Sequence, residues 1–148
     1  MVLFLDFDGV LHPWPCDESQ WFCQVPVVEQ FFSQTEYAQM DIVISSTWRE
    51  RYSLTQLKSH FSPAFAARII GVTPVVHTYL AGEREREILM WLQEQGRQDE
   101  AWLALDDLKA FFAYHLDKVF LCDGSTGFTE ADFGVLAWAI EQIKKQIT

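Results

Sequence analysis

The stretch FLDFDGVLHPWP, residues 4–15, carries an apolar run straight into two aspartates, Asp6 and Asp8, followed by a glycine. Residues 2–5 are apolar at every position, the pattern of a short strand buried on both faces in a parallel sheet. Side chains alternate along an extended chain, so acids two positions apart lie on one side and can meet the same ligand. Gly9 then allows a sharp turn away from the pair. Two like charges at the end of a core strand need compensation, and the rest of the chain indicates where it comes from.

Four further runs repeat the pattern, at 42–44, 68–72, 102–105 and 119–121. Between them the apolar residues recur at helical spacing. Val27, Val28, Phe31 and Phe32 form one stripe, and Leu54, Leu57 and Phe61 a second. Ile88, Leu89, Trp91 and Leu92 give a third, and Leu108, Phe111 and Phe112 a short fourth. A last helix from about residue 130 is expected to bury Phe133, Leu136, Ile140, Ile143 and Ile147. Alternating strands and helices imply right-handed crossovers. The expected architecture is a three-layer Rossmann-like α/β fold: a mostly parallel five-stranded sheet with helices on both faces, in one domain.

Composition narrows the function. Of 148 residues, 49% are hydrophobic and 15% aromatic, enough for a substantial core and unlike a disordered chain. A formal charge of −10 disfavours a broad nucleic-acid or anionic-membrane surface. No apolar run approaches the roughly 20 residues of a membrane span. The N-terminus lacks a signal-peptide pattern, and Cys16, Cys23 and Cys122 are odd in number and widely spaced. Together these lead us to expect a cytoplasmic protein with reduced thiols and no membrane partner.

Ligands of open parallel sheets bind beyond the carboxyl ends of the strands. There the chain places Asp6 and Asp8, then Ser45, Ser46, Thr47, Trp48 and Arg49, then Asp106 and Asp107, and finally Asp123 to Thr126. Carboxylates gathered at one rim repel one another unless a cation neutralises them. An all-oxygen ligand set suits Mg²⁺. Asp6, with Asp106 and/or Asp107, is therefore expected to hold magnesium. Asp6 would be the nucleophile and Asp8 the proton donor and acceptor.

The motifs resemble those of the haloacid dehalogenase (HAD) superfamily of phosphohydrolases. DFDGV at 6–10 resembles its first motif, VISS at 43–46 its second, and LALDD at 103–107 its acidic fourth. More narrowly, DFDGVLHP, SSTWR, GVTP, EREREILMWL, LALDD and TGFT resemble the small HAD domain of "Swiss army knife" RNA-repair proteins. The resemblance implies that Asp6 forms an aspartyl phosphate and that Asp8 protonates the leaving oxygen and then activates water. It implies that Ser45, or Ser46 if the strand runs one residue longer, holds the phosphoryl group. It implies a basic third motif, which Arg84 or Arg86 must supply because residues 83–87 hold no lysine. Magnesium would take Asp6, the main-chain carbonyl of Asp8, and Asp106 or Asp107, with a lean to Asp107. An aspartate at position 8 points to phosphatase chemistry. The charges flanking Arg84 (Glu83, Glu85 and Glu87) can also be read as a solvated helix face.

HAD phosphatases often carry a cap after the first or second motif. Residues 12–24 are enough for a flap and too few for a cap domain, so an open rim is expected. It would admit a bulky phosphorylated substrate, such as a protein or a nucleic-acid end. Trp14, Trp21 and Phe22 in the flap, and Trp48 beyond the second motif, are expected mainly to pack, though such rings can stack on a base. His12 and Arg49 are read either as phosphate neighbours or as structural residues. Receiver domains and topoisomerase–primase enzymes also gather acids on such a rim, but in a different order along the chain.

Overall fold

The computed structural model describes residues 1–77 and 81–147. Five strands form one sheet: β1 (Val2–Leu5), β2 (Asp41–Ile44), β3 (Ile69–Val72), β4 (Trp102–Asp106) and β5 (Val119–Leu121). Their order is β3-β2-β1-β4-β5, and every pairing is parallel. The α-helices are α1 (Val25–Phe32), α2 (Leu54–Lys58), α3 (Pro63–Ala66), α4 (Glu83–Glu94) and α5 (Phe133–Lys145).

The sheet is covered on both faces. Leu3, Leu5, Ile42, Ile44, Leu103 and Leu105 point to one side, against apolar residues of α1, α2, α3 and α5. Val2, Phe4, Val43, Trp102 and Ala104 point to the other, against Ile88, Trp91 and Leu92 of α4. All four residues of β1 are fully buried, which accounts for its unbroken apolar run. Local signals set the helix starts. Ser53 and Gln56 close a capping box at α2, Ser62 caps α3, and prolines occupy the first turns of α1 and α3.

Three expectations need correction. The stretch after β4 forms only a 3₁₀ turn, Lys109–Phe111, with Leu108 half exposed. Ile147 lies beyond the end of α5 and is 52% exposed, so the last buried residue of its stripe is Ile143. Arg68 precedes β3: its guanidinium donates to the carbonyls of Phe32, Tyr37 and Met40, tying the end of α1 to the start of β2.

The topology places the site. The chain moves from β1 to β2 and β3 in one direction, then crosses to β4 on the other side of β1. The carboxyl ends of β1 and β4 therefore flank the switch point, where a crevice forms. Nothing between β1 and α1 beyond a loop and one 3₁₀ turn (Glu18–Gln20) stands over it, so the described residues contain no cap domain.

Candidate active site at the β1–β4 switch point

Register explains which side chains meet. Leu5 pairs with Ile44 on one side and Leu105 on the other, so Asp6, Ser45 and Asp106 follow at one level. They have the parity of Phe4, Val43 and Ala104, and so point to the face covered by α4. The first turn of α4 brings Arg84 to the same place. Asp6, Asp106 and Asp107 each offer a carboxylate oxygen, all within 4.8 Å of one another.

Backbone donors fix these acids. Asp6 Oδ1 accepts from the Phe7 N–H at 2.8 Å, and Asp106 Oδ1 accepts from Asp107 at 2.7 Å and Leu108 at 3.0 Å. Gly9 (φ +77°) makes the arrangement possible, since a side chain there would overlap the Asp107 carboxylate. Gly124 approaches from β5, where a Cβ would stand 2.9 Å from Asp107 Oδ2.

Burial and mutual repulsion disturb the acids. Asp6 is held well above the usual carboxylate range, first by burial and then by the Asp106 charge. Burial pushes Asp106 up to about 6, against the hydrogen bonds to its oxygens and the nearby Arg84. Asp107 is raised as well, chiefly by desolvation. Three carboxylates with no thiolate or imidazole among them form a hard oxygen donor set, the kind that suits Mg²⁺.

Asp8 is held differently. Its Oδ1 takes hydrogen bonds from His12 Nε2 at 2.8 Å and Trp48 Nε1 at 2.9 Å. His12 Nδ1 accepts from the Phe22 N–H at 3.1 Å, which assigns the ring proton to Nε2. Burial would raise Asp8, but these two donors together with nearby positive charge, Arg84 included, bring the group below its usual range. Asp8 therefore adds no carboxylate to the cluster of three.

The remaining expected residues separate by what they touch. Ser45 is buried, and its Oγ has no hydrogen-bond partner, whereas Ser46 Oγ accepts from the Trp48 N–H and caps the turn Thr47–Glu50. Arg84 is buried over the Phe111 ring, with Nε 3.9 Å from Asp106 Oδ2. Arg86 donates to the Ala81 carbonyl. Arg49 is engaged with the carbonyls of Ser46, Thr73 and Pro74 and with Glu87 at 2.6 Å. His12 reaches Asp8 and Phe22, not the cluster of three. Asp123 is exposed and turns back on Ser125.

Two features escape a reading of the sequence. Glu87 is buried, with one oxygen on Arg49 and the other 3.4 Å from Arg84, while Glu85 accepts from the backbone of residues 113–115. The first turns of α4 are thus an internal ion network instead of the solvated face that alternating charges suggest. The i,i+3 spacing of Arg84 and Glu87 was the available signal. Trp48 holds Asp8 through its indole nitrogen, and nothing in the SSTWR string shows that.

A family model describing the HAD domain in Swiss Army Knife RNA repair proteins matches residues 2–133. The chain belongs to this family. The match runs from the start of β1 into α5 and so includes all five strands and every residue of the carboxylate cluster. Searches of curated proteins and of solved structures found no match. The HAD domain's acidic rim is thus assembled here from β1 and β4, with the α4 arginine against it.

Proposed function

We propose that this HAD domain is a magnesium-dependent phosphomonoesterase working through an aspartyl phosphate on Asp6. The observation that carries the reading is the grouping of Asp6, Asp106 and Asp107 within 4.8 Å, at one level with the unpartnered hydroxyl of Ser45. Asp6, Asp106 and Asp107 would hold the cation, with the Asp8 carbonyl. When bound, Mg²⁺ neutralises the carboxylates and the charge on a phosphoryl group.

The chain's own residues account for the rest. A carboxylate oxygen of Asp6 attacks phosphorus, and the bond to the leaving oxygen breaks. Asp8 gives that oxygen a proton, releasing an alcohol. Water then attacks the phosphorus of the acyl phosphate, Asp8 takes its proton, and inorganic phosphate leaves with Asp6 restored. His12 and Trp48 occupy Oδ1 of Asp8, which leaves Oδ2 for this transfer. Those donors favour the ionised form, and an arriving phosphoryl group shifts the balance back toward the protonated one. Ser45 donates to a phosphoryl oxygen, and Arg84, rather than Arg86, sets positive charge beside it. The family's description, together with the absence of a cap domain among the described residues, supports a bulky substrate such as a nucleic-acid end.

Phosphate release from p-nitrophenyl phosphate, with Mg²⁺ and with EDTA, tests the reading beside Asp6→Asn. Turnover that needs Mg²⁺ and is lost in the variant is expected. Unimpaired turnover in Asp6→Asn refutes the nucleophile, and no turnover of any phosphoester by the wild type points to a binding module.

A further inference from the structure

A second feature lies on the other side of Asp8. A cleft of about 420 Å³ opens there, lined by Asp8, Trp14, Trp21, Trp48, Arg51 and Tyr52 among others. Its volume is that of a small-molecule site. Trp48 is the centre of the wall: Tyr52 stacks on it at 5.2 Å and 25°, and Trp21 meets it edge-on at 5.1 Å. The flap's Phe22 packs inward on Phe7 and Trp48, as its apolar character suggests. Trp14 and Tyr52 do not: they stand 52% and 40% exposed. Grouped aromatic faces left open to water around a concave site mark a place for a ligand.

Asp8 decides which part of the ligand goes there. In the reaction proposed above, on which this inference rests, Asp8 must touch the oxygen that departs from phosphorus. The attacking Asp6 lies on the opposite side of the phosphoryl group from that oxygen. A cleft that Asp8 itself lines is therefore on the leaving-group side. We infer that the cleft formed by Trp14, Trp21, Trp48 and Tyr52 is a leaving-group subsite that selects phosphomonoesters whose alcohol carries a planar aromatic ring. Ring stacking on aromatic side chains supplies the recognition, and Arg51 and Glu50 at the rim offer polar contacts to ring substituents. Trp48 serves twice, since it lines the cleft and backs the Tyr52 ring while its N–H holds Asp8. Ring binding and orientation of the proton-transfer group therefore share one side chain.

The experiment compares kcat/KM for adenosine monophosphate, phosphotyrosine and glycerol phosphate in wild type, Tyr52→Ala, Trp14→Ala and Trp48→Phe, with folding checked by circular dichroism. Wild type is expected to favour one or both ring-bearing substrates over glycerol phosphate. Which one is favoured tells a nucleobase from a phenol. Tyr52→Ala and Trp14→Ala should shrink the preference by about fivefold or more. Trp48→Phe keeps a ring but loses the N–H, so kcat should fall on all three substrates while the preference stays.

Titration of tryptophan fluorescence with adenosine supplies a readout without turnover: saturable quenching is expected, and weaker quenching in Tyr52→Ala. Equal turnover of ring-bearing and ringless substrates, or a preference that survives both alanine variants, overturns the subsite and leaves the phosphatase reading intact. Quenching by adenosine in a protein that hydrolyses nothing refutes the phosphatase reading and supports the cleft as a ring-binding site.

Discussion

The carboxylate cluster should make the metal-free protein less stable, and Asp106→Asn isolates the effect. Asp106 is buried, and its pKa stands at about 6 where an unfolded chain has about 3.8. A carboxyl raised that far costs the folded state roughly 3 kcal/mol at pH 7, as an order of magnitude. The sign follows from proton binding. Between these two values the folded state holds more protons than the unfolded one, so stability falls as pH rises through the window. Below it the group is neutral in both states and costs nothing. An asparagine keeps an oxygen to accept from Asp107 and Leu108 but cannot ionise. In EDTA the variant should therefore exceed wild type by about 1–3 kcal/mol at pH 7.5, about 5–10 °C in midpoint at most. The advantage should shrink toward zero at pH 4. Urea denaturation at both pH values measures it. Mg²⁺ should raise the midpoint of wild type at pH 7.5 by mass action, and that of the variant much less. A variant less stable than wild type at pH 7.5, or an advantage equal at both pH values, refutes the reasoning.

Four other outcomes follow from the same geometry. Ser45→Ala removes a buried hydroxyl without a partner, so stability should hold or rise by about 1 kcal/mol while kcat/KM for any phosphomonoester falls; urea denaturation beside steady-state kinetics separates the two. Asp8→Asn cannot take a proton from water, so incubation with p-nitrophenyl phosphate, whose leaving group departs as a stable anion without needing a proton from Asp8, should leave a phosphorylated protein visible by intact mass. Gly9→Ala forces a side chain into the Asp107 carboxylate at positive φ, and should weaken Mg²⁺ binding in a calorimetric titration more than it alters far-ultraviolet circular dichroism. Glu87→Gln removes the charge shared by Arg49 and Arg84, and should cost about 2–4 kcal/mol in urea denaturation because two buried guanidiniums lose their counter-charge.

The parts legible in the sequence are those fixed by local pattern. β1 shows as an unbroken apolar run because both its faces are covered, and its end is marked by Asp6, where apolar neighbours give way to the buried carboxylate cluster. The same logic locates β2 and β4 to within a residue. Sheet parity then turns three scattered segments into one cluster: Asp6, Ser45 and Asp106 need only stand one step beyond paired residues on parallel neighbours to share a face. The short helix expected after β4 failed because its apolar residues, Leu108, Phe111 and Phe112, answer to different demands. Phe112 is buried with the α4 side of the sheet, Phe111 lies under Arg84, and Leu108 is half exposed.

What the sequence hides are contacts whose partners lie far apart along the chain. EREREILMWL looks like a solvated helix start because its charges alternate in sign, the usual mark of an exposed face. Burial reverses the meaning. A guanidinium taken out of water must be paired, and Glu87 pairs two of them, one from the turn after β2 and one from α4. Arg49, bonded to the carbonyls of Thr73 and Pro74 as well, thereby ties the ends of β2 and β3 to the helix that presents Arg84. The basic charge beside Asp106 is thus held by an acid that a helix-surface reading assigns to solvent. In the same way, the position of Asp8 depends on an indole 40 residues away, and that indole belongs to the turn that Ser46 caps. Capping by Ser46 and the freedom of Ser45 are one fact seen from two sides: the first hydroxyl is used to set Trp48 against Asp8, and the second is left without a partner at the level of Asp6. A substitution at Ser46 should therefore act through Asp8, lowering kcat on ring-bearing and ringless phosphomonoesters alike, whereas one at Ser45 acts on phosphoryl binding. If Ser46→Ala instead raised KM with kcat unchanged, this division of labour between the two serines would be wrong.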